Sequence, residues 1–173
     1  MTNDVSDWWQ TDIIDMAPGQ IRLRGHPIQD LIGTITFPQM IWLMTRGTLP
    51  TDAESQLLEA ALVAAVDHGP QAPSIAAARM AVTCGLGLNG AMATAVNMLD
   101  DVHGGAGEQA VELYSWITAS PEAPEVAAEK AIARWQNERG KYIPGFGHRF
   151  HTPQDPRAPR LMALVDAVIA SGT

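Results

Sequence analysis

The amino-acid sequence predicts an all-α fold that carries one short β-hairpin at its N-terminal end. Three observations lead there. Apolar residues recur at three- and four-residue spacing through most of the chain, as in Leu161, Leu164, Val165, Val168 and Ile169. Helix-starting and helix-stopping residues bracket those runs. Period-two alternation is confined to Ile13–Leu23, while alanine-rich runs and an aromatic content of only 6% fit helices elsewhere.

The hairpin turns at Pro18-Gly19, where Ile21 and Leu23 alternate with arginines. A helix begins near Pro38, capped by Thr36 and stopped by Gly47. Thr51 and Glu54 form a capping box for the next, whose apolar stripe is Leu58, Leu62, Ala65 and Val66, with Gly69 ending the segment. Ser74 opens a helix to about Cys84, and Asn89–Asp100 and Gly107–Thr118 follow, separated by a glycine turn after His103. Pro124–Glu138 carries Ala127, Ala131 and Trp135 on one face, with Gly140 as its stop. A proline-rich loop then leads to a final helix from Arg160. Its apolar stripe has little chain beyond it for cover, so either the chain forms a homodimer, as expected here, or residues that normally complete the fold are absent.

At 173 residues the chain suits a single domain, 1–173. Its apolar runs fall short of membrane-spanning length, and the acidic start MTNDVSDWWQ lacks the basic and apolar regions of a secretory signal. Cys84 is the only cysteine, which fits a cytoplasmic location and allows no intrachain disulfide. A net charge of −8 argues against nucleic-acid binding. That charge is uneven: residues 130–160 carry +5 and the remainder −13. Lys130, Arg134 and Arg139 read as a solvated helix face. Arg149, Arg157 and Arg160, set among proline and glycine, read as a site for phosphate or carboxylate.

Three histidines adjoin turn-forming residues: His68 before Gly69-Pro70, His103 before Gly104-Gly105, and His148 after Phe146-Gly147. One such histidine is usually a helix-end cap; three shift the balance towards an active site. A metal site is not expected. His148 and His151 are three apart, but Pro144 and Pro153 make that stretch a loop and not a helix presenting both rings, and no HExxH or CxxC motif is present.

Two segments bear a resemblance. PGFGHRFHTPQDPRA, from Pro144 to Ala158, resembles the citrate synthase block that holds an oxaloacetate-binding histidine and a carboxylate-binding arginine, which fall on His148 and Arg157. VHGGAGEQAVEL, Val102 to Leu113, is similar to the block whose histidine polarises the thioester carbonyl of acetyl-CoA, here His103. VDHGPQAPSIAAAR, Val66 to Arg79, resembles the block with a further substrate-binding histidine, here His68, and the region LRGHPIQDLIGTITFPQMIWLMTRGTLPT resembles the family's N-terminal part. Only about eighteen residues separate Pro50 from His68, a compactness similar to the citryl-CoA lyase branch.

The resemblance implies catalytic roles for His103 and His148, substrate binding by His68, Arg157 and Arg149, and a CoA-lining loop at Ile143, Pro144, Gly145, Phe146 and Gly147. It implies that residues of roughly 104–160 correspond to the smaller, CoA-binding subdomain. The implied reaction is cleavage of citryl-CoA to acetyl-CoA and oxaloacetate, or the reverse condensation, with a CoA thioester as substrate, di- or tricarboxylate as partner ligand, and neither covalent cofactor nor metal. The family's general-base aspartate and further arginines lie downstream of the last block, and no residue here maps onto them, so the C-terminal part of the family fold is expected to be missing. A synthase for another 2-oxo acid or acyl-CoA, and a catalytically incomplete binding relative, stay open as alternatives.

Overall fold

The structure is a computed structural model that describes residues 8–148 and 151–172. It is mostly helical, with a small N-terminal sheet, and it divides into two compact units. The first comprises the described residues up to Val66 together with those from Pro156 onward; the second is Asp67–Asp155. Most of the segment 104–160 singled out in the sequence therefore lies in the second unit, and its last five residues lie in the first.

In the first unit, β1 (Ile14–Ala17) and β2 (Gln20–Leu23) form the expected antiparallel hairpin, with Ile14 opposite Leu23 and Ala17 opposite Gln20. The sheet then continues into a third strand, β3 (His26–Pro27), through the two-residue connection Arg24-Gly25. Both of those residues have positive φ, 48° and 84°. This is the combination that a tight hairpin turn needs and that arginine seldom supplies. Arg24 is held there by its side chain, whose Nη2 donates to the Met44 carbonyl at 2.9 Å.

A single-turn helix α1 (Ile28–Leu31) leads to α2 (Phe37–Arg46), which starts on a full capping box of Thr36 and Gln39 and ends on left-handed Gly47. Helix α3 (Asp52–Ala64) has the predicted box of Thr51 and Glu54: the Thr51 N–H donates to Glu54 Oε2 at 2.8 Å, and the Glu54 N–H to Thr51 Oγ1 at 3.2 Å. Leu31 and Leu43 are the buried apolar residues here.

The α3 stripe differs from expectation. The helix ends at Ala64, so Ala65 and Val66 lie beyond it, and Leu62 is exposed. Leu58 is half-buried as expected, joined by Leu57, Ala60 and Ala64, and Ser55 is buried. Helix α8 (Arg157–Ala170) packs on α3 through half-buried Leu161, Leu164 and Val168, leaving Val165 and Ile169 open.

In the second unit, α4 (Pro73–Thr83) and α5 (Leu88–Val96) form a hairpin of helices with buried Ala81 and Ala91. Small residues there let the helices approach closely. Helices α6 (Ala106–Thr118) and α7 (Pro124–Glu138) pair around Leu113, Ala131 and Trp135, with Trp116, Ile117 and Ile143 packed against them. Ala127, Ala131 and Trp135 all point inward, as their spacing predicts. Outside that core Arg139 grips Glu112 with two bonds of 2.6 Å and lies over the Trp135 ring at 4.7 Å. Among the described residues no helix is long and apolar enough to cross a membrane.

Leu113 is 2% exposed at the centre of the α6–α7 core. Leu113→Ala should cost about 2–5 kcal/mol, the range for a leucine removed from a packed interior. Urea unfolding measures it, and a loss well under 1 kcal/mol would mean that the core lies elsewhere.

Candidate active site

The turn that carries His103 is tied at both ends. The Asp100 N–H donates to the His103 carbonyl at 2.9 Å, and the Gly105 N–H donates to the Asp100 carbonyl at 3.0 Å. Closing it brings the chain so near itself that a Cβ on Gly105 would stand 2.7 Å from Asp101 Cα. Only glycine fits, and Gly105 is also the residue from which α6 starts.

The ring of half-buried His103 reaches the start of α4. Its Nε2 lies 3.3 Å from the Ser74 backbone N and 3.0 Å from Ser74 Oγ. Ser74 is the second residue of α4, where backbone N–H groups have no intrahelical acceptor. A backbone N–H can only donate, so Nε2 must accept. In the neutral imidazole this puts the proton on Nδ1. His103 thus offers an N–H donor on the side of the ring away from α4.

His68 is exposed and sits in a turn closed by its neighbours, with Asp67 Oδ1 accepting from the Gly69 N–H at 2.8 Å. His148 follows Gly147, and its Nδ1 accepts from the His151 backbone N–H at 3.3 Å. By the same reasoning the neutral His148 ring carries its proton on Nε2.

The five loop residues expected to line CoA are anchored on α6. Ile143 belongs to the α6–α7 core. Gly145 has φ of 78°, and a Cβ there would lie 3.0 Å from Ala110 Cβ. Phe146 faces Tyr114, with ring centroids 6.2 Å apart. Of the five, only Pro144 borders the adjacent cleft of about 370 Å³, whose lining includes Asp101, Gln109, Trp135, Arg139 and Tyr142. Sequence reasoning missed these, although Tyr142 and Arg139 stand within five residues of the motif.

Arg157 belongs to the first unit. It is half-buried at the first position of α8, and its Nη1 donates to the Ala64 carbonyl, at the last residue of α3, at 3.3 Å. Arg149 lies outside the described residues. Lys130, Arg134 and Arg139 pair with Glu122, Glu138 and Glu112. Glu112 and Glu122 come from outside the basic window, so part of its +5 is compensated in the fold.

The citrate synthase C-terminal domain model matches residues 52–173. The chain is 29% identical over 126 residues to a citrate synthase of Haloferax volcanii, covering 72% of this chain and 32% of that one. It is 27% identical over 118 residues to a putative citrate synthase 2 of Mycobacterium bovis, covering 68% and 30%. It therefore spans about a third of the length of these curated relatives. Among solved structures it superposes on a citryl-CoA lyase from Hydrogenobacter thermophilus with a TM-score of 0.80 at 34% identity, over 92% of this chain and 60% of that one. An ATP citrate lyase from Methanothrix soehngenii, in complex with citrate and coenzyme A, gives a TM-score of 0.81 over 92% and 26%. Its identity of 20% makes that a likeness of fold alone. The architecture is that of the citrate synthase-like helical fold. The chain belongs to the citrate synthase family.

The Ser74 contact makes a direct prediction about His103. Long-range nitrogen–proton correlation NMR at neutral pH should show the neutral ring protonated on Nδ1. A ring protonated on Nε2 would mean that the α4 N–H does not hold it.

Proposed function

We propose that the chain acts on a CoA thioester, breaking citryl-CoA into acetyl-CoA and oxaloacetate or making the same carbon–carbon bond in reverse. The observation that carries this reading is the contact of His103 Nε2 with the Ser74 backbone N–H, which leaves Nδ1 of the neutral ring as a donor. When the bond to the α-carbon breaks, its electron pair passes to the thioester fragment as an enolate, and the negative charge gathers on the thioester oxygen. A preorganised N–H donor at that oxygen lowers the barrier because it needs no reorganisation as the charge develops. His103 Nδ1–H supplies one.

The second oxygen is the hydroxyl of the citryl group, which becomes the ketone of oxaloacetate. His148 Nε2–H is the donor suited to it, since Nδ1 is already taken by the His151 N–H. His68, Arg157 and Arg149 would bind substrate carboxylates, the arginines by paired bonds to each carboxylate. The loop Ile143–Gly147 and the cleft beside Pro144 suit the CoA end. Both histidines serve oxygens as donors; in cleavage the proton that leaves the hydroxyl and the proton that the α-carbon gains must pass through a further acid or base, and in condensation the same transfers run in reverse. The 34% identity to a citryl-CoA lyase supports the cleavage direction; the curated relatives, named as citrate synthases, support the condensation.

We also propose a homodimer in a reducing, cytoplasmic setting. Besides the terminal helix, α5 leaves Leu88, Met92 and Val96 exposed at four-residue intervals, a continuous apolar stripe on one helix face. A two-fold partner is the commonest cover for such a face.

Calorimetry with acetyl-CoA, oxaloacetate and citrate, followed by steady-state assay of citryl-CoA cleavage and of the condensation, tests the reaction. His103→Ala should lower kcat by about 10²–10³-fold, the usual effect of removing one such donor. His148→Ala should also weaken oxo acid binding, because its bond exists in both ground and transition states. Unchanged turnover in His103→Ala, with the melting temperature preserved, would remove the central residue from the scheme. Binding of the ligands without turnover in either direction would favour the incomplete binding relative.

Sedimentation addresses the dimer. Leu88→Asp with Met92→Asp should shift the protein from dimer to monomer, whereas a wild-type monomer at tens of micromolar would exclude the interface.

A further inference from the structure

We propose that His148, His151 and Asp155 form a binding site for a divalent transition ion, with zinc as its representative. The sequence argued against this because a loop was not expected to present both rings. The loop does present them: the rings of His148 and His151 lie 4.6 Å apart between centroids, tilted by 34°. Asp155 joins them, so that one ligand atom from each of the three residues lies within 4.8 Å of the other two.

The donor set selects the ion. Two imidazoles and one carboxylate suit zinc and the neighbouring divalent transition metals, whereas calcium and magnesium favour oxygen ligands throughout. Zinc–ligand bonds of roughly 2.0–2.2 Å put two tetrahedrally placed ligands about 3.3 Å apart. Closing 4.8 Å to that spacing moves each donor by less than about 1 Å, within reach of side-chain torsions alone. Three protein ligands leave a fourth position for water or a substrate oxygen, the arrangement of open zinc sites.

The tautomer of His148 fits as well. Its Nδ1 lone pair is directed at the His151 backbone N–H, at the long distance of 3.3 Å. A metal on Nδ1 would replace that one weak bond and leave the Nε2 proton where it is. His151 is exposed and Asp155 half-buried, so an ion reaches the site from solvent.

The test requires no substrate and is thus independent of the proposed reaction. Zinc chloride is titrated into the untagged, chelator-stripped protein by calorimetry, and cobalt is used as a spectroscopic stand-in. One saturable ion per chain is expected, with His151→Ala and Asp155→Asn each weakening it by at least about 10-fold, as losing a ligand from a three-residue site should. His26→Ala and Cys84→Ser, which alter donors elsewhere, should bind as the wild type does. Circular dichroism and melting temperature confirm the fold of each variant, and His151→Ala carries the test should Asp155→Asn unfold. The absence of saturable binding, equal affinity in His151→Ala, or loss of binding in Cys84→Ser would each overturn the site.

Discussion

The contact between the start of α4 and the ring of His103 is the constraint on which the second unit's candidate site depends. It joins segments 29 residues apart in sequence and uses a donor that cannot change role. A ring N–H at that position would leave the Ser74 backbone N–H without its acceptor, at a cost of about 1–3 kcal/mol for a buried group. The interaction of a charge with a helix end, worth typically 0.3–1 kcal/mol, is smaller. Hydrogen-bond direction, more than the helix dipole, therefore decides which nitrogen holds the proton. The tautomer in turn decides what the ring offers to a ligand.

That contact works only if the 100–105 turn is rigid, and its rigidity comes from α6. Gly105 starts the helix while lying against Asp101, and Gln109, one turn on, donates through Nε2 to the Asp101 carbonyl at 3.2 Å. The Ile143–Gly147 loop grips the same helix, because Gly145 sits on Ala110 and near the Ala106 carbonyl while Ile143 enters the core beside Leu113 and Trp135. The two sequence blocks richest in glycine thus converge on the first turns of one helix. Gly105 and Gly145 serve close packing there, and that packing anchors the turns that carry His103 and His148.

Much of this was legible in the sequence, and the exceptions share a cause. Capping boxes are local, so Thr51 with Glu54 announced α3 correctly. The Ala127, Ala131 and Trp135 face was legible because its partner helix lies next to it in the chain. The α3 stripe was misread because its true extent depends on α8, roughly a hundred residues away, and on a helix end at Ala64 that no glycine or proline marks. Charge counting by window missed Glu112, which reaches Arg139 across 27 residues. The third strand went unseen because Arg24 adopts a turn conformation that its bonds to the Ile13 and Met44 carbonyls help to hold. Ser74 was read as a helix opener, which it is; its second role needed the position of His103.

The same device then operates twice. In His103 the α4 N–H occupies Nε2 and leaves a donor at Nδ1; in His148 the His151 N–H occupies Nδ1 and leaves a donor at Nε2. In the neutral form of each ring, one nitrogen is engaged by a backbone N–H and the other carries the proton to donate. Such a pair suits the step in which charge moves between two oxygens, while the hydroxyl proton passes to a further base. Cleavage or formation of a bond between a thioester α-carbon and a carbinol carbon is of that kind: the charge is on the alkoxide oxygen on one side of the barrier and on the enolate oxygen on the other. A donor fixed at each end stabilises the charge wherever it lies, and one such donor is worth about 2.7–4 kcal/mol in a site closed to water. Backbone amides cannot be titrated away or rotated, and this makes them a dependable means of holding both rings in the state that such a reaction would need.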